Sequence, residues 1–184
     1  MTGVGIGGCI RLPGYDYTSQ GSYFLTLVTF GREPLFGEIG NGEMTLGPLG
    51  SILADEWRKS AVIRREIHLD EFVAMPNHLH AIVHIRDVGA HGRAPLRPDT
   101  GTHAPVRPPR SIGSLIAGFK SAATKRINEH RGAPGLQAWQ RNYYDRIIRN
   151  EAELARIRQY IIDNPAHWDA DPENPVVATS PASS

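Results

Sequence analysis

The chain has 184 residues, 40% of them hydrophobic, and a formal net charge of +1. That length fits one domain with a core of its own, and no apolar run approaches the roughly 18 residues of a membrane span. A lone cysteine, Cys9, excludes an internal disulfide, and the opening Met1 to Gly8 lacks the charged and apolar regions of a signal peptide, so a reducing cytoplasm is expected.

Residues 22–30 are rich in β-branched and aromatic types and predict a buried strand. Gly31, Pro34, Gly37, Gly40 and Gly42 then break the chain repeatedly. Leu46, Leu49, Ile52, Leu53 and Trp57 recur at helical spacing, which predicts a helix over 46–60. A second strand is expected over 67–74, a turn at Pro76-Asn77, and a third strand over 78–85. Leu79, Ala81, Val83 and Ile85 form one face of that third strand; His78, His80, Ile82 and His84 form the other.

Residues 87–110 hold several prolines, glycines and arginines without periodicity and predict a long flexible connection. Ser111 resembles an N-cap, followed on one stripe by Ile112, Leu115, Ile116, Phe119, Ala123 and Ile127. A fourth strand is expected over 143–148. Asn150 can cap a last helix, helped by Glu151 and Glu153 in its first turn. The chain after Asn164-Pro165 is rich in Pro, Asp, Ala and Ser and is expected to fray. The order is β-α-β-β-α-β plus a helix, an α+β, ferredoxin-like arrangement with an antiparallel sheet.

Charge is uneven along this order. Residues 107–158 carry 11 Lys and Arg against four Asp and Glu, or +7, whereas the rest carries nine against 15, or −6. A basic C-terminal half fits a local polyanion surface, with a plain solvated helix face as the alternative.

Two features carry chemistry. In a strand, residues i and i+2 share a face, so His78 and His80 present two imidazoles to one cation. By itself such a pair is more often two partly exposed histidines with no special role than a metal site, and His84 reads as a surface residue. In the last helix, Leu154, Ile157 and Ile161 form the apolar stripe. Tyr160 and Asn164 fall about 40° apart on one border of it, which places them at the rim of the sheet. A border tyrosine alone is more often a packing residue with a wet hydroxyl.

The segment from Asp70 through Met75-Pro76-Asn77-His78-Leu79-His80 resembles the single-tyrosine HUH transposases. So do Ser114 to Ser121, Trp139 to Arg149, Leu12 to Tyr17 and Leu35 to Ile39, with the nearest likeness to the REP-associated tyrosine transposases. The resemblance spans residues 11–168, leaving 1–10 as a flexible leader and 169–184 as a disordered tail. It implies that His78 and His80 are metal ligands and that Tyr160 is the nucleophile. It also implies a third ligand four residues on, commonly a glutamine and here Asn164.

A divalent cation, magnesium or manganese, is the implied cofactor, and DNA that is single-stranded at the cut, with hairpin ends, is the implied partner. The implied reaction is transesterification through a 5′-phosphotyrosine. Relatives that exchange the tyrosine helix between protomers make a homodimer the candidate assembly. Lys120, Lys125, Arg126 and Arg141 are expected on backbone phosphate, with Trp139, Tyr143 and Tyr144 as base-stacking candidates, although one of the two tyrosines should pack inward. A nonenzymatic single-strand-binding module and a metal-dependent hydrolase remain the alternatives.

Overall fold

A computed structural model describes residues 20–86 and 111–175. The expected leader, the connection 87–110, the Leu12 to Tyr17 motif and the last nine residues lie outside the described residues. Four strands form one antiparallel sheet in the order β4 (Ile67–Ala74), β5 (His78–Ile85), β1 (Gly21–Val28), β6 (Tyr144–Ile148). Helices α1 (Pro48–Ile63) and α2 (Ile112–His130) pack against each other and against one face of that sheet. Helix α3 (Glu151–Asp163) packs on the opposite face. The expected α+β ferredoxin-like fold is present, with two strands and a terminal 3-10 turn added.

The apolar core lies under α1 and α2. Tyr23, Leu25 and Leu27 of β1 and Leu79, Ala81, Val83 and Ile85 of β5 all point into it, as the period-2 pattern requires. The predicted stripe of α2 is buried residue for residue: Ile112, Leu115, Ile116, Phe119, Ala123 and Ile127. Ser111 begins that helix with a capping box, its hydroxyl accepting from Ser114 N and the Ser114 hydroxyl accepting from Ser111 N. Asn150 caps α3 by accepting from Glu153 N at 2.9 Å.

Two expectations need correction. The stretch read as a series of breaks holds a hairpin, β2 (Gly37–Gly40) and β3 (Glu43–Leu46). Asn41 and Gly42 turn it with φ of 54° and 77°, the left-handed pair that a tight primed turn demands. Gly50, in the first turn of α1, lets the hairpin's entry approach closely, since a Cβ there would lie 2.1 Å from the Phe36 carbonyl oxygen.

The second correction concerns the expected frayed tail. Residues 165–170 form a 3-10 turn, and beyond it Asp171 and Asn174 are buried. Arg32 pairs with Glu173 at 2.9 Å, and Asn77 donates to the Glu173 carbonyl at 2.7 Å, so polar groups replace the apolar contacts that the sequence lacks here.

Candidate active site

The face of the sheet under α3 is built in cross-strand rows. Register aligns Val73, His80, Thr26 and Tyr144 in one row and Ile82, Phe24 and Arg146 in the next. Strand neighbours in a row have adjacent side chains, so His80 meets Thr26, their Nδ1 and Oγ1 hydrogen-bonded at 2.9 Å. His78 and His80 are both fully buried, with ring centroids 4.4 Å apart. The same-face pair expected from the sequence is in place.

Burial decides the charge of both rings. Desolvation penalises imidazolium, pushing His80 down to about 3 and His78 well below the ordinary range, with the neighbouring histidine adding to the fall at His78. Both are therefore neutral at physiological pH, the form that binds metal. For His78 the tautomer follows from its neighbours. Asn77 donates from Nδ2 to the carbonyls of Arg32 (3.2 Å) and Glu173 (2.7 Å), which turns its Oδ1 toward His78 Nδ1 at 2.9 Å. An amide oxygen only accepts, so Nδ1 carries the proton and Nε2 presents its lone pair.

Among the described residues that Nε2 is buried without a hydrogen-bond partner, and so is Oδ1 of Asn164. Asn164 is itself 2% exposed, deeper than the rim position expected for it. Its Nδ2 donates to Asp171 Oδ2 at 3.2 Å, leaving the carbonyl oxygen free. Asp171 completes the group: His78, His80 and Asp171 each offer a ligand atom within 4.8 Å of the others. Two orphaned buried acceptors beside a carboxylate fit a divalent cation, since an unpaired buried polar atom is otherwise a standing penalty. Two imidazoles with oxygen donors suit manganese, whereas magnesium takes oxygen ligands by preference.

Asp171 escaped the sequence reading. Nothing local marks it in an acidic, proline-containing stretch; the Asn164 amide on its carboxylate and the Arg32 and Asn77 contacts to the neighbouring Glu173 hold it beside the histidines.

Tyr160 stands over this group from the third turn of α3. Its hydroxyl lies 3.3 Å from His80 Nε2, and its ring packs on His80 (5.3 Å) and edge-on to Phe24 (6.0 Å). It is 38% exposed, so one side faces solvent where a large substrate can reach it. Burial and the Asp171 carboxylate push the phenol up to about 12, with the Asn164 side chain pulling slightly the other way. Unaided, this tyrosine resists ionisation.

The basic residues fall into two groups. Lys120, Lys125 and Arg141 line one open groove of about 590 Å³ between α2 and the loop before β6. Lys120 also donates to the carbonyls of Gln140 (2.8 Å) and Asn142 (2.9 Å), and so braces that loop. Arg126 differs from expectation: it pairs with Glu56 of α1 at 2.7 Å and ties the two helices together.

The aromatic expectations divide as well. Trp139 is 5% exposed and packs on Phe36 and Phe119, which removes it as a stacking platform. Tyr143 joins the core under α2, while Tyr144 lies on the face that holds the histidines.

His84 is also more than the surface residue expected. It bonds Ser22 Oγ at 2.7 Å through Nδ1 and Asp70 at 2.7 Å through Nε2. Arg158 of α3 forks onto the same Asp70, holding that carboxyl well below its usual range and fastening the tyrosine helix to β4.

No protein-family model matches the chain. An uncharacterised protein of Haemophilus influenzae is 37% identical over 169 residues, which span 88% of this chain and 89% of that protein. Among solved structures, a REP-associated tyrosine transposase bound to a REP hairpin superposes with a TM-score of 0.52 at 17% identity. It covers 80% of this chain and 68% of its own. A transposase candidate of Deinococcus radiodurans aligns at 20% identity and a TM-score of 0.47, over 83% of this chain and 94% of that one.

Proposed function

The chain belongs to one family with the Haemophilus influenzae protein and carries the fold of the single-tyrosine HUH transposases, and on that premise we propose that it cuts and rejoins single-stranded DNA through Tyr160. The carrying observation is the position of the Tyr160 hydroxyl, 3.3 Å from His80 Nε2 and beside the cluster of His78, His80 and Asp171.

In this reading the phenolic oxygen attacks a backbone phosphorus, its proton passes to solvent, and the bond to the 3′ oxygen breaks. The products are a 5′-phosphotyrosine and a free 3′-hydroxyl. The phosphodiester energy stays in the new ester, so attack by another 3′-hydroxyl rejoins strands without ATP. His78, His80 and Asp171, with the amide oxygen of Asn164, would hold a divalent cation, which when bound offsets charge building on the scissile phosphate. The chain's own part is to keep both imidazoles neutral, to fix His78 in the Nε2-open tautomer through Asn77, and to hold the phenol at the sheet rim through the Asp70–Arg158 fork. Lys120, Lys125 and Arg141 supply the groove for more distant phosphates.

The test uses a pool of end-labelled single-stranded hairpins with randomised flanks, incubated with protein and manganese. A covalent species that survives a denaturing gel and is lost in Tyr160→Phe supports the reading. Bound but uncut DNA would point to a nonenzymatic binder, and free hydrolysis products without an adduct to a water-using hydrolase; either result sinks it.

A further inference from the structure

We propose that a cavity beside Tyr160 is a nucleobase subsite, which takes one base, guanine by preference, from the strand presented to the tyrosine. The proposal rests on the DNA-cutting reading above and adds a specificity element to it. The cavity lies between β6 and α3, measures about 170 Å³, and includes Tyr160 in its wall. That is smaller than the ~300–1,000 Å³ that receives drug-sized molecules, and it suits a single planar ring system.

The floor is Phe24, 6% exposed and stacked on His80 with centroids 5.2 Å apart. Tyr144 meets Phe24 edge-on at 6.4 Å and Tyr160 does so at 6.0 Å, so two upright rings flank one flat ring. Ile157 closes the helix side. Phe24 only closes the bottom of the cavity, and the more exposed rings of Tyr144 and Tyr160 are the ones a base can stack on.

The polar groups at its mouth favour one edge chemistry. Arg146, directly opposite Phe24 on the adjacent strand β6, is held by Glu153 at 2.5 Å and reaches the cavity as an oriented, charge-compensated guanidinium. Arg156 engages the protein only through Nε, a long 3.4 Å contact to the Ala152 carbonyl, and its terminal nitrogens have no partner among the described residues. A free guanidinium fork matches the paired acceptors O6 and N7 of guanine better than any other base edge. Because Tyr160 walls the cavity, the base would belong to a nucleotide at or next to the cut, and its identity would gate which phosphate reaches the hydroxyl.

The experiment is an NMR titration of the metal-free protein with dGMP, dAMP, dCMP, dTMP and, separately, inorganic phosphate. Saturable shifts are expected at Phe24, Tyr144 and Ile157 with the nucleotides, about tenfold tighter for dGMP than for dCMP or dTMP. Phosphate alone should leave those three unmoved. Arg156→Ala should weaken dGMP about tenfold, and Ile157→Trp, which fills the cavity from the half-exposed helix side, should abolish the shifts with the rest of the spectrum unchanged.

No shift at the three residues, equal shifts with phosphate, or indifference to Ile157→Trp overturns the subsite. A covalent adduct that forms on the same sequences in Ile157→Trp as in wild type overturns the subsite and leaves the DNA-cutting reading intact. Base binding at these residues with no adduct on any strand keeps the subsite and sinks the cutting.

Discussion

The two faces of the central sheet are made by the same strands and do opposite things. Under α1 and α2, alternate residues of β1 and β5 are apolar and packed, and the polar exceptions are few. Under α3 the intervening residues include Thr26, His78, His80 and His84; His80 bonds Thr26, packs on His78 and meets the Tyr160 hydroxyl, His84 bonds Ser22 and Asp70, and the apolar cluster there is small. Both faces hold buried polar atoms without partners among the described residues, but under α1 and α2 these include the isolated indole nitrogens of Trp57 and Trp139, whereas under α3 they are two lone-pair acceptors, His78 Nε2 and Asn164 Oδ1, beside a carboxylate. The comparison teaches that mutations on the two faces should separate stability from chemistry.

The largest expected effect is Tyr160→Phe. Covalent adduct formation should fall by at least about 10³-fold, because no other hydroxyl takes over the attack, while thermal midpoint and DNA retention stay near wild type. The ring keeps its contacts with Phe24 and His80. Adduct at the wild-type level would move the nucleophile elsewhere. Across the sheet, Trp57→Ala should do the reverse: Trp57 is fully buried against Phe119, and its loss should lower stability by about 3–5 kcal/mol in chemical denaturation. If Trp57→Ala barely changes the denaturation midpoint, the division between the faces fails.

Much of this division is visible in the sequence, because strand period is a local property. The alternation over 78–85 separates core from chemistry at once, and the buried stripe of α2 is spelled out from Ile112 to Ile127. Other features depend on what lies opposite in space. A surface arginine carries no mark of its partner, so Arg126 reads like Lys125 until Glu56 is seen beside it. Trp139 reads as a stacking residue until its bridge to Thr29 places it in the core. The hairpin is a different matter: Asn41-Gly42 is a strong local turn signal, obscured by the glycines around it. Asp171 joins the site through the Asn164 amide and through tertiary contacts at the neighbouring Glu173, which no local pattern encodes.

Metal affinity gives the next sharpening. Manganese titrations followed by paramagnetic relaxation should show His78→Ala and His80→Ala losing affinity by about 100-fold or more, and Asp171→Ala and Asn164→Ala by about 10-fold. Asn164→Gln should be tolerated, since it keeps an amide oxygen. A titration for Asn164→Ala superimposable on wild type would assign that residue to holding Asp171 and nothing else.

Acid should distinguish the faces again. His80, held at about 3 by burial, binds its proton more weakly folded than unfolded, where the ordinary value is 6.5. Its contribution to stability is therefore complete above pH 6.5 and is lost as pH falls toward 3, with a slope up to about 1.4 kcal/mol per pH unit. His78 has the same sign; Asp171, whose carboxyl is raised by burial, opposes it just above the ordinary carboxylate range. In chelated buffer, denaturation midpoints from pH 7.5 to 5 should fall, and His80→Gln should flatten the trend by about one proton. An unchanged slope in that variant would mean that His80 is not the buried neutral group described here.

The smallest expected effect concerns the tyrosine itself. Burial is the main reason its phenol sits at about 12, and the Asp171 charge is the second. Asp171→Asn removes a negative charge that opposes the phenolate but leaves the burial, so the Tyr160 value should move only part of the way back toward the ordinary 10. Asn164→Ala should move it slightly the other way, because the Asn164 side chain favours the ionised form. Ultraviolet titration of the metal-free protein, with Tyr160→Phe subtracted to isolate this residue, reads both shifts. Opposite signs in the two variants would show that the carboxylate and amide face the same hydroxyl, as a shared cation site requires. Shifts of the same sign, or none for Asp171→Asn, would mean that Asp171 does not face the phenol and would detach it from the tyrosine's chemistry.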